Sequence, residues 1–97
     1  MLFAIHALDK PGHAALRAET RPAHLAYLDA VAAQMVLAGP LLDATGQAMG
    51  SLIVLEAESQ AAVEALAAAD PYAKAGLFES VAIRPFRAVF KDGARAG

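Results

Sequence analysis

The sequence predicts an α+β fold whose elements follow the order strand, helix, strand, strand, helix, strand. Short apolar runs rich in β-branched residues, of which Ser51–Glu56 is the clearest, are typical of strands buried on both faces. Between them lie two segments with apolar residues at three- and four-residue spacing, the pattern of helices with one buried face. This order is the split βαβ arrangement of ferredoxin-like folds, in which both helices cover one face of an antiparallel sheet.

The first strand is predicted over Met1–Leu8, a continuous apolar run, and a turn follows at Asp9–Gly12. In that turn a proline fixes φ and a glycine relieves the following position. We expect a short helix over His13–Glu19 and a separate main helix that begins at Pro22 and runs to about Gln34. Proline suits the first position of a helix because its missing N–H would have no partner there.

The second strand is predicted over Met35–Leu42, and Pro40 inside it indicates a strand end, a sheet edge or a bulge. The reason is that proline cannot donate a hydrogen bond to a strand ladder. Asp43–Gly50 holds two glycines and few apolar anchors, which predicts a loop or the tip of a hairpin. Ser51–Glu56 is then expected in a central position of the sheet, because it is apolar on both of its faces.

The second helix is predicted from Ser59, a good N-cap residue, through Ala69. It ends at Asp70 because the residue before a proline is disfavoured in the α region. The last strand is predicted over Leu77–Phe90, where Pro85 implies an edge, a bulge or a split into two pieces.

The length of 97 residues leaves room for one domain only. We expect that domain to span residues 1–91 and residues 92–97 to form a flexible C-terminal tail. The apolar fraction is 58% and the charged fraction only 19%, more apolar surface than so short a chain can bury by itself. The excess, together with strands that are apolar on both faces, predicts a homodimer and leaves a larger oligomer open.

The net charge, and the residue types and segments that the chain lacks, exclude several classes of protein. A net charge of −2 argues against a nucleic-acid-binding protein, which normally carries a basic patch. The chain has no cysteine, which excludes disulfides and thiolate chemistry. No apolar run is long enough to span a membrane, and the N-terminus lacks the basic leader of a signal peptide. We therefore expect a cytoplasmic protein.

His24 is the most informative polar residue of the sequence. On a helical wheel it falls inside the apolar stripe of the main helix, near Val31 and Met35, so its ring is expected to point inward. One interpretation is a core or interface histidine with one satisfied hydrogen bond. The other is an acid–base group, which a second titratable side chain at the same place would favour.

Asp70 is a candidate for that second side chain. An aspartate is disfavoured at the C-terminal end of a helix, where the helix dipole is already negative. Because both helices lie on one sheet face, the end of the second helix can approach the first, and a His24–Asp70 pair becomes possible. The alternative is that Asp70 caps the turn at Asp-Pro-Tyr by accepting backbone N–H bonds. Both interpretations stay open at this point.

The order of several short blocks resembles the signature of the YCII-related (YciI) family. The blocks are Arg21-Pro22-Ala23-His24-Leu25, Ala38-Gly39-Pro40, Gly50-Ser51, Ala69-Asp70-Pro71-Tyr72 and Val81-Ala82-Ile83-Arg84-Pro85-Phe86. The resemblance covers nearly the whole chain and implies a ferredoxin-like fold, a dimeric α+β barrel and a site built from His24 and Asp70. Some relatives look like enzymes that act on aromatic-ring breakdown products, and others are associated with regulatory proteins.

A histidine oriented by a carboxylate can move a proton, which gives isomerisation or assists the loss of a leaving group. Three further residues are predicted to contact a substrate: Ser51, Tyr72 and Arg17. Each has a structural alternative. Ser51 can be a strand-end hydroxyl, Tyr72 can pack beside Pro71, and Arg17, like Arg21, can be a solvated surface arginine.

Other chemistries lack the motifs that they need. There is no Gly-x-Ser-x-Gly nucleophile turn, no glycine-rich nucleotide loop and no closely spaced pair of histidines, so we predict neither a cofactor nor a metal. The leading hypothesis is a small cofactor-independent lyase or isomerase that uses His24 and Asp70 on a small molecule. The alternatives are a non-enzymatic ligand-binding or regulatory module and a purely structural dimerisation domain.

Overall fold

A computed structural model describes all 97 residues and has the predicted α+β architecture. In chain order the elements are β1 (Leu2–Asp9), α1 (Ala14–Ala30), β2 (Met35–Leu42), β3 (Ala48–Glu56), α2 (Gln60–Ala69), α3 (Pro71–Lys74), β4 (Phe78–Phe86), β5 (Phe90–Lys91) and β6 (Ala94–Arg95). The first four long strands form one antiparallel sheet in the order β2-β3-β1-β4. The helices lie on one face of this sheet, so the ferredoxin-like prediction is confirmed.

The core lies between the sheet and the helices. In β1 the buried residues alternate with less buried ones, and Ile5 lies opposite Ile53 of β3 and Ile83 of β4. Phe3, Ile5, Ile53 and Leu55 pack against Val63 of α2, which is fully buried. The apolar side chains on one face of the two central strands, β1 and β3, therefore hold α2 against the sheet.

Helix α1 differs from the prediction, because it is one continuous helix of 17 residues with Pro22 inside it. The predicted boundary at Pro22 is wrong. Pro22 lies on the exposed side of α1, where water can satisfy the carbonyl group left without its N–H partner. The buried residues of α1 are Arg17 and His24, one on each side of the proline, and both are tied to other elements, so tertiary contacts override the local preference.

The other two strand prolines are tolerated because they lie at the edges of the sheet. Pro40 lies in β2 and Pro85 in β4, and both strands are edge strands, which was one of the alternatives predicted for each proline. Strand β3 begins at Ala48 rather than Ser51, which shortens the predicted loop. The remaining loop is closed by the Asp43 carboxylate, which accepts backbone N–H bonds from Thr45 and Gln47.

The last predicted strand ends at Phe86 instead of Phe90. Phe90–Lys91 and Ala94–Arg95 then pair as a small hairpin. Residues 92–97, expected to form a frayed tail, thus contain the turn and the second strand of this hairpin, and their flexibility stays a prediction.

The sheet face away from the helices carries an apolar patch beside the polar side chains of His6 and Arg84, and we call it the open face. It carries Leu2, Ala4, Leu37, Leu52, Val54 and Phe86. Leu37 and Phe86 are 61% and 46% exposed, and Phe90 of the hairpin beside them is 65% exposed. No helix of the chain is both long and apolar enough to cross a membrane.

Candidate active site

A cavity of about 400 Å³ lies between α1 and the β2–β3 hairpin. Its walls are apolar where Leu25, Leu28, Ala38 and Pro40 line it. Leu25 is 40% exposed because it lies on this wall. The polar side chains that line the cavity are Arg17, Arg21, His24, Gln47, Ser51 and Tyr72. An apolar cleft with a few convergent polar groups is the usual form of a small-molecule site.

His24 and Asp70 meet at one side of the cavity. The His24 Nδ1 atom donates a hydrogen bond of 2.9 Å to Asp70 Oδ1, and the two residues are 8% and 3% exposed. The other ring nitrogen, Nε2, makes no hydrogen bond within the chain. Because no fully buried side-chain nitrogen or oxygen lacks a partner, Nε2 is accessible at the cavity wall. The pair thus leaves one oriented nitrogen available for proton transfer.

Asp70 combines the two roles that sequence reasoning left open. It ends α2 in an extended conformation, as expected before a proline, and it is the N-cap of α3. The same Oδ1 atom accepts the Tyr72 backbone N–H at 2.9 Å. The cap holds the carboxylate in place, and the carboxylate in turn holds the imidazole ring.

Tyr72 connects the two ends of the site. Its ring stacks on that of His24 with centroids 4.0 Å apart, and the Arg17 guanidinium carbon lies 4.5 Å from the same tyrosine ring. Burial raises the pKa of Tyr72, although the positive charges of Arg17 and Arg21 oppose the rise. Tyr72 is therefore neutral at pH 7, and its hydroxyl can donate a hydrogen bond to a ligand.

Arg17 is buried, so the surface interpretation of this arginine is wrong. Its Nε and Nη2 atoms donate to both oxygens of Asp9, at 2.6 and 3.0 Å. Nη2 also donates to the Gly50 carbonyl at 2.9 Å and to Ser51 Oγ at 2.8 Å. Burial opposes the charge, but the hydrogen bonds and the charge of Asp9 outweigh it and raise the pKa of Arg17. Arg17 is thus a fixed positive charge at the cavity.

Ser51 lies inside β3 rather than at its beginning, and it is buried beside Arg17. The neighbouring Gly50 lies close to the backbone of β1, since a side chain there would collide with the Ala7 carbonyl oxygen. The predicted residues His24, Asp70, Tyr72, Arg17 and Ser51 therefore converge on one region, and Arg21 lies at its exposed rim.

Sequence reasoning missed two members of the site. Asp9 was assigned to the turn after β1, but it is the last residue of that strand and holds Arg17. Its position directly after a buried strand and eight residues before an arginine was the available signal. Gln47 lines the cavity from the hairpin side and carried no such signal. No group of three or more histidine, cysteine, aspartate or glutamate side chains is placed to hold a metal ion.

Comparisons with known proteins agree with this architecture. The YCII-related domain matches residues 1–87. Protein YciI of Escherichia coli O6:H1 is 39% identical over 98 residues, an alignment that covers 93% of this chain and all of that protein. An uncharacterized protein of Haemophilus influenzae is 33% identical with the same coverage.

Two solved structures are similar to the fold. One is 5-chloro-2-hydroxyhydroquinone dehydrochlorinase (TftG) from Burkholderia phenoliruptrix in complex with 2,5-dihydroxybenzoquinone, with a TM-score of 0.85 and 36% identity. That match covers 90% of this chain and 94% of the enzyme. The other, an antibiotic biosynthesis monooxygenase, has a TM-score of 0.50 at 12% identity over 90% and 99% of the two chains, and it supports the fold alone.

Proposed function

Because the chain belongs to the YCII-related family, we propose that it is a small enzyme for acid–base chemistry of the lyase or isomerase type. His24 is the residue that transfers the proton, and Asp70 orients it. The substrate is a small ring compound with several oxygen substituents. The cavity volume of about 400 Å³ suits a ligand of this size.

The observation that carries this proposal is the buried hydrogen bond between His24 Nδ1 and Asp70 Oδ1. A carboxylate that accepts from Nδ1 keeps the proton on that nitrogen, so neutral His24 presents Nε2 to the cavity as a base. After it has taken a proton at Nε2, the same ring is an acid at the same place. One residue can then remove a proton from one atom of the substrate and deliver it to another.

The remaining polar residues suit a ring that carries negative charge. Arg17 stays charged because Asp9 holds it, and Arg21 adds a second positive charge at the rim. An ionised ring oxygen would be stabilised by these charges and by hydrogen bonds from Tyr72 and Ser51. The apolar walls at Leu25 and Pro40 would contact the faces of a planar ring.

The similarity to the dehydrochlorinase indicates an elimination. In the reaction that we propose, His24 takes a proton from a ring hydroxyl and delivers it to the ring carbon that bears the leaving group. The leaving group departs as an anion while a second hydroxyl loses its proton. The products are a quinone and the acid of the leaving group, so the atoms and electrons balance without an added oxidant.

Turnover of 5-chloro-2-hydroxyhydroquinone and related hydroxylated rings, followed by anion release, tests the proposal. His24→Asn should lower turnover by about 10²–10⁴-fold, the usual contribution of general acid–base catalysis. His13→Asn is the matched control, because His13 lies outside the cavity and its ring hydrogen-bonds to the Pro11 carbonyl. Unchanged turnover in His24→Asn would refute the catalytic role, and binding without product would favour the ligand-binding module.

We further propose that the open face pairs with the same face of a second copy. Burying Leu37 and Phe86 in this way would remove two large exposed apolar side chains from water. Light scattering at micromolar concentration should report a dimer, and Leu37→Glu should shift the population toward the monomer. A wild-type monomer under these conditions would contradict the pairing.

A further inference from the structure

The hydroxyl group of Tyr27 closes the end of the helix that precedes Asp70. Helix α2 ends at Ala69, and the Asp70 N–H bonds to the Ala67 carbonyl at 3.3 Å rather than to that of Leu66. The Leu66 carbonyl would accept the Asp70 N–H if the helix continued, so it is left without its usual partner. Tyr27 Oη donates to this oxygen at 2.5 Å.

We infer that Tyr27 is a positioning residue for the His24–Asp70 pair, because it ties the end of α2 to the helix that carries His24. His24 and Tyr27 are three residues apart on α1, one turn along the same side. Leu66 and Asp70 are four residues apart at the end of α2. Two hydrogen bonds one turn apart therefore connect α1 to the last turn of α2 and fix the position of Asp70 against His24.

This role is indirect, and it rests on the proposed function of the pair. Tyr27 is half-buried and does not line the cavity. Its ring centroid lies 6.4 Å from that of His24, and its hydrogen bond goes to the backbone of α2. Burial and the charge of Asp70 raise the pKa of Tyr27 to about 12, so the hydroxyl is a hydrogen-bond donor at neutral pH.

Nitrogen-15 NMR of the histidine rings tests the inference without a substrate. In the wild type we expect a protected His24 Nδ1–H signal, because this proton lies in a buried hydrogen bond to Asp70. Tyr27→Phe removes only the hydroxyl group. The Nδ1–H proton should then exchange with water about five to ten times faster, which corresponds to the loss of one ordinary hydrogen bond.

Ser59→Ala is the matched control for stability. Ser59 Oγ accepts the Ala62 N–H at 3.1 Å at the opposite end of α2, so this variant also loses one hydrogen bond of the same helix. It should leave the His24 signal as in the wild type. In an active preparation Tyr27→Phe should lower kcat with KM unchanged, because Tyr27 does not contact the cavity.

Three results would overturn the inference, and they are distinguishable. Wild-type exchange in Tyr27→Phe would remove the positioning role and leave the proposed function intact. The same acceleration in Ser59→Ala would show that general loss of stability is the cause. A wild-type ring with no protected Nδ1–H signal would refute the His24–Asp70 pair itself, and with it both proposals.

Discussion

Helix α1 contributes one residue to each of two buried pairs, and the hydrogen bonding of these pairs differs although their burial is similar. The Arg17 and Asp9 side chains are 9% and 8% exposed, and those of His24 and Asp70 are 10% and 4% exposed. Arg17 donates four hydrogen bonds to Asp9, Gly50 and Ser51. His24 donates one and leaves its other ring nitrogen without a partner.

Because of this difference, Arg17 is a fixed positive charge, whereas His24 can take up and release a proton. Arginine does not release its proton at neutral pH, and the bonds to Asp9 raise the pKa of Arg17 further. Histidine exchanges a proton readily, and one carboxylate is enough to orient it. A helix with one residue of each kind, seven positions apart, can hold a charged substrate at one end of the cavity and move its proton at the other.

The largest effect on stability is expected at the arginine pair. Asp9→Ala leaves the buried Arg17 guanidinium without its main partner, and we expect the free energy of unfolding to fall by about 3–5 kcal/mol. Urea denaturation measures this change, with Asp29→Ala on the exposed side of α1 as the control. A loss no greater than that of the control would contradict the view of Arg17 as a fixed, buried charge.

A smaller loss of stability is expected at the histidine pair. Asp70→Asn keeps an oxygen that can accept the Tyr72 N–H but weakens the bond from His24, at a cost of about 1–2 kcal/mol. Turnover should fall far more than stability does, because the imidazole loses its orientation. If denaturation and turnover measurements show equal losses for Asp70→Asn, the pair is structural and the comparison with Arg17 fails.

The smallest effect concerns alkaline pH and Tyr27. Folding raises the pKa of this residue from its ordinary value near 10 to about 12, so the folded state favours the neutral phenol. The contribution of Tyr27 to the free energy of unfolding is fully present below about pH 10, and it is lost as the pH rises toward 12. Because Tyr27 is only half-buried, we expect a loss of about 1 kcal/mol or less.

Urea denaturation between pH 9 and 12 measures this loss, and Tyr27→Phe supplies the reference. The variant should lack the part of the alkaline decline that belongs to Tyr27, while Tyr72→Phe should retain it. Parallel stability curves for the wild type and Tyr27→Phe would contradict the raised pKa of Tyr27.

The two pairs also differ in how far the sequence predicted them. The fold order and an aspartate at an unfavourable helix end made a His24–Asp70 pair possible, and the resemblance to the YCII-related family implied it. The Asp9–Arg17 pair was missed because Asp9 stands before a Pro-Gly turn, where aspartate has a local explanation. Dividing α1 at Pro22 hid the two-turn spacing of Arg17 and His24.

Local sequence propensity thus failed to predict the boundaries of helices and strands that are set by tertiary contacts. Pro22 is tolerated because it is exposed and because α1 is held on both sides of it. Strand β3 extends back to Ala48 because it pairs with β2, a contact that no short window of sequence contains. The cap at Ser59 and the helix end at Asp70 were predictable because both depend on neighbouring residues alone.

The exchange of ring hydrogens of hydroxyhydroquinone in D₂O, followed by proton NMR without oxygen, tests proton transfer by His24 most directly. This compound has no leaving group, so only the proposed proton transfer to ring carbon is observed. We predict that the wild type and His13→Asn accelerate the exchange, by about 10²-fold or more over His24→Asn. Equal exchange rates in the wild type and His24→Asn would contradict the assignment of His24 as the proton-transfer residue.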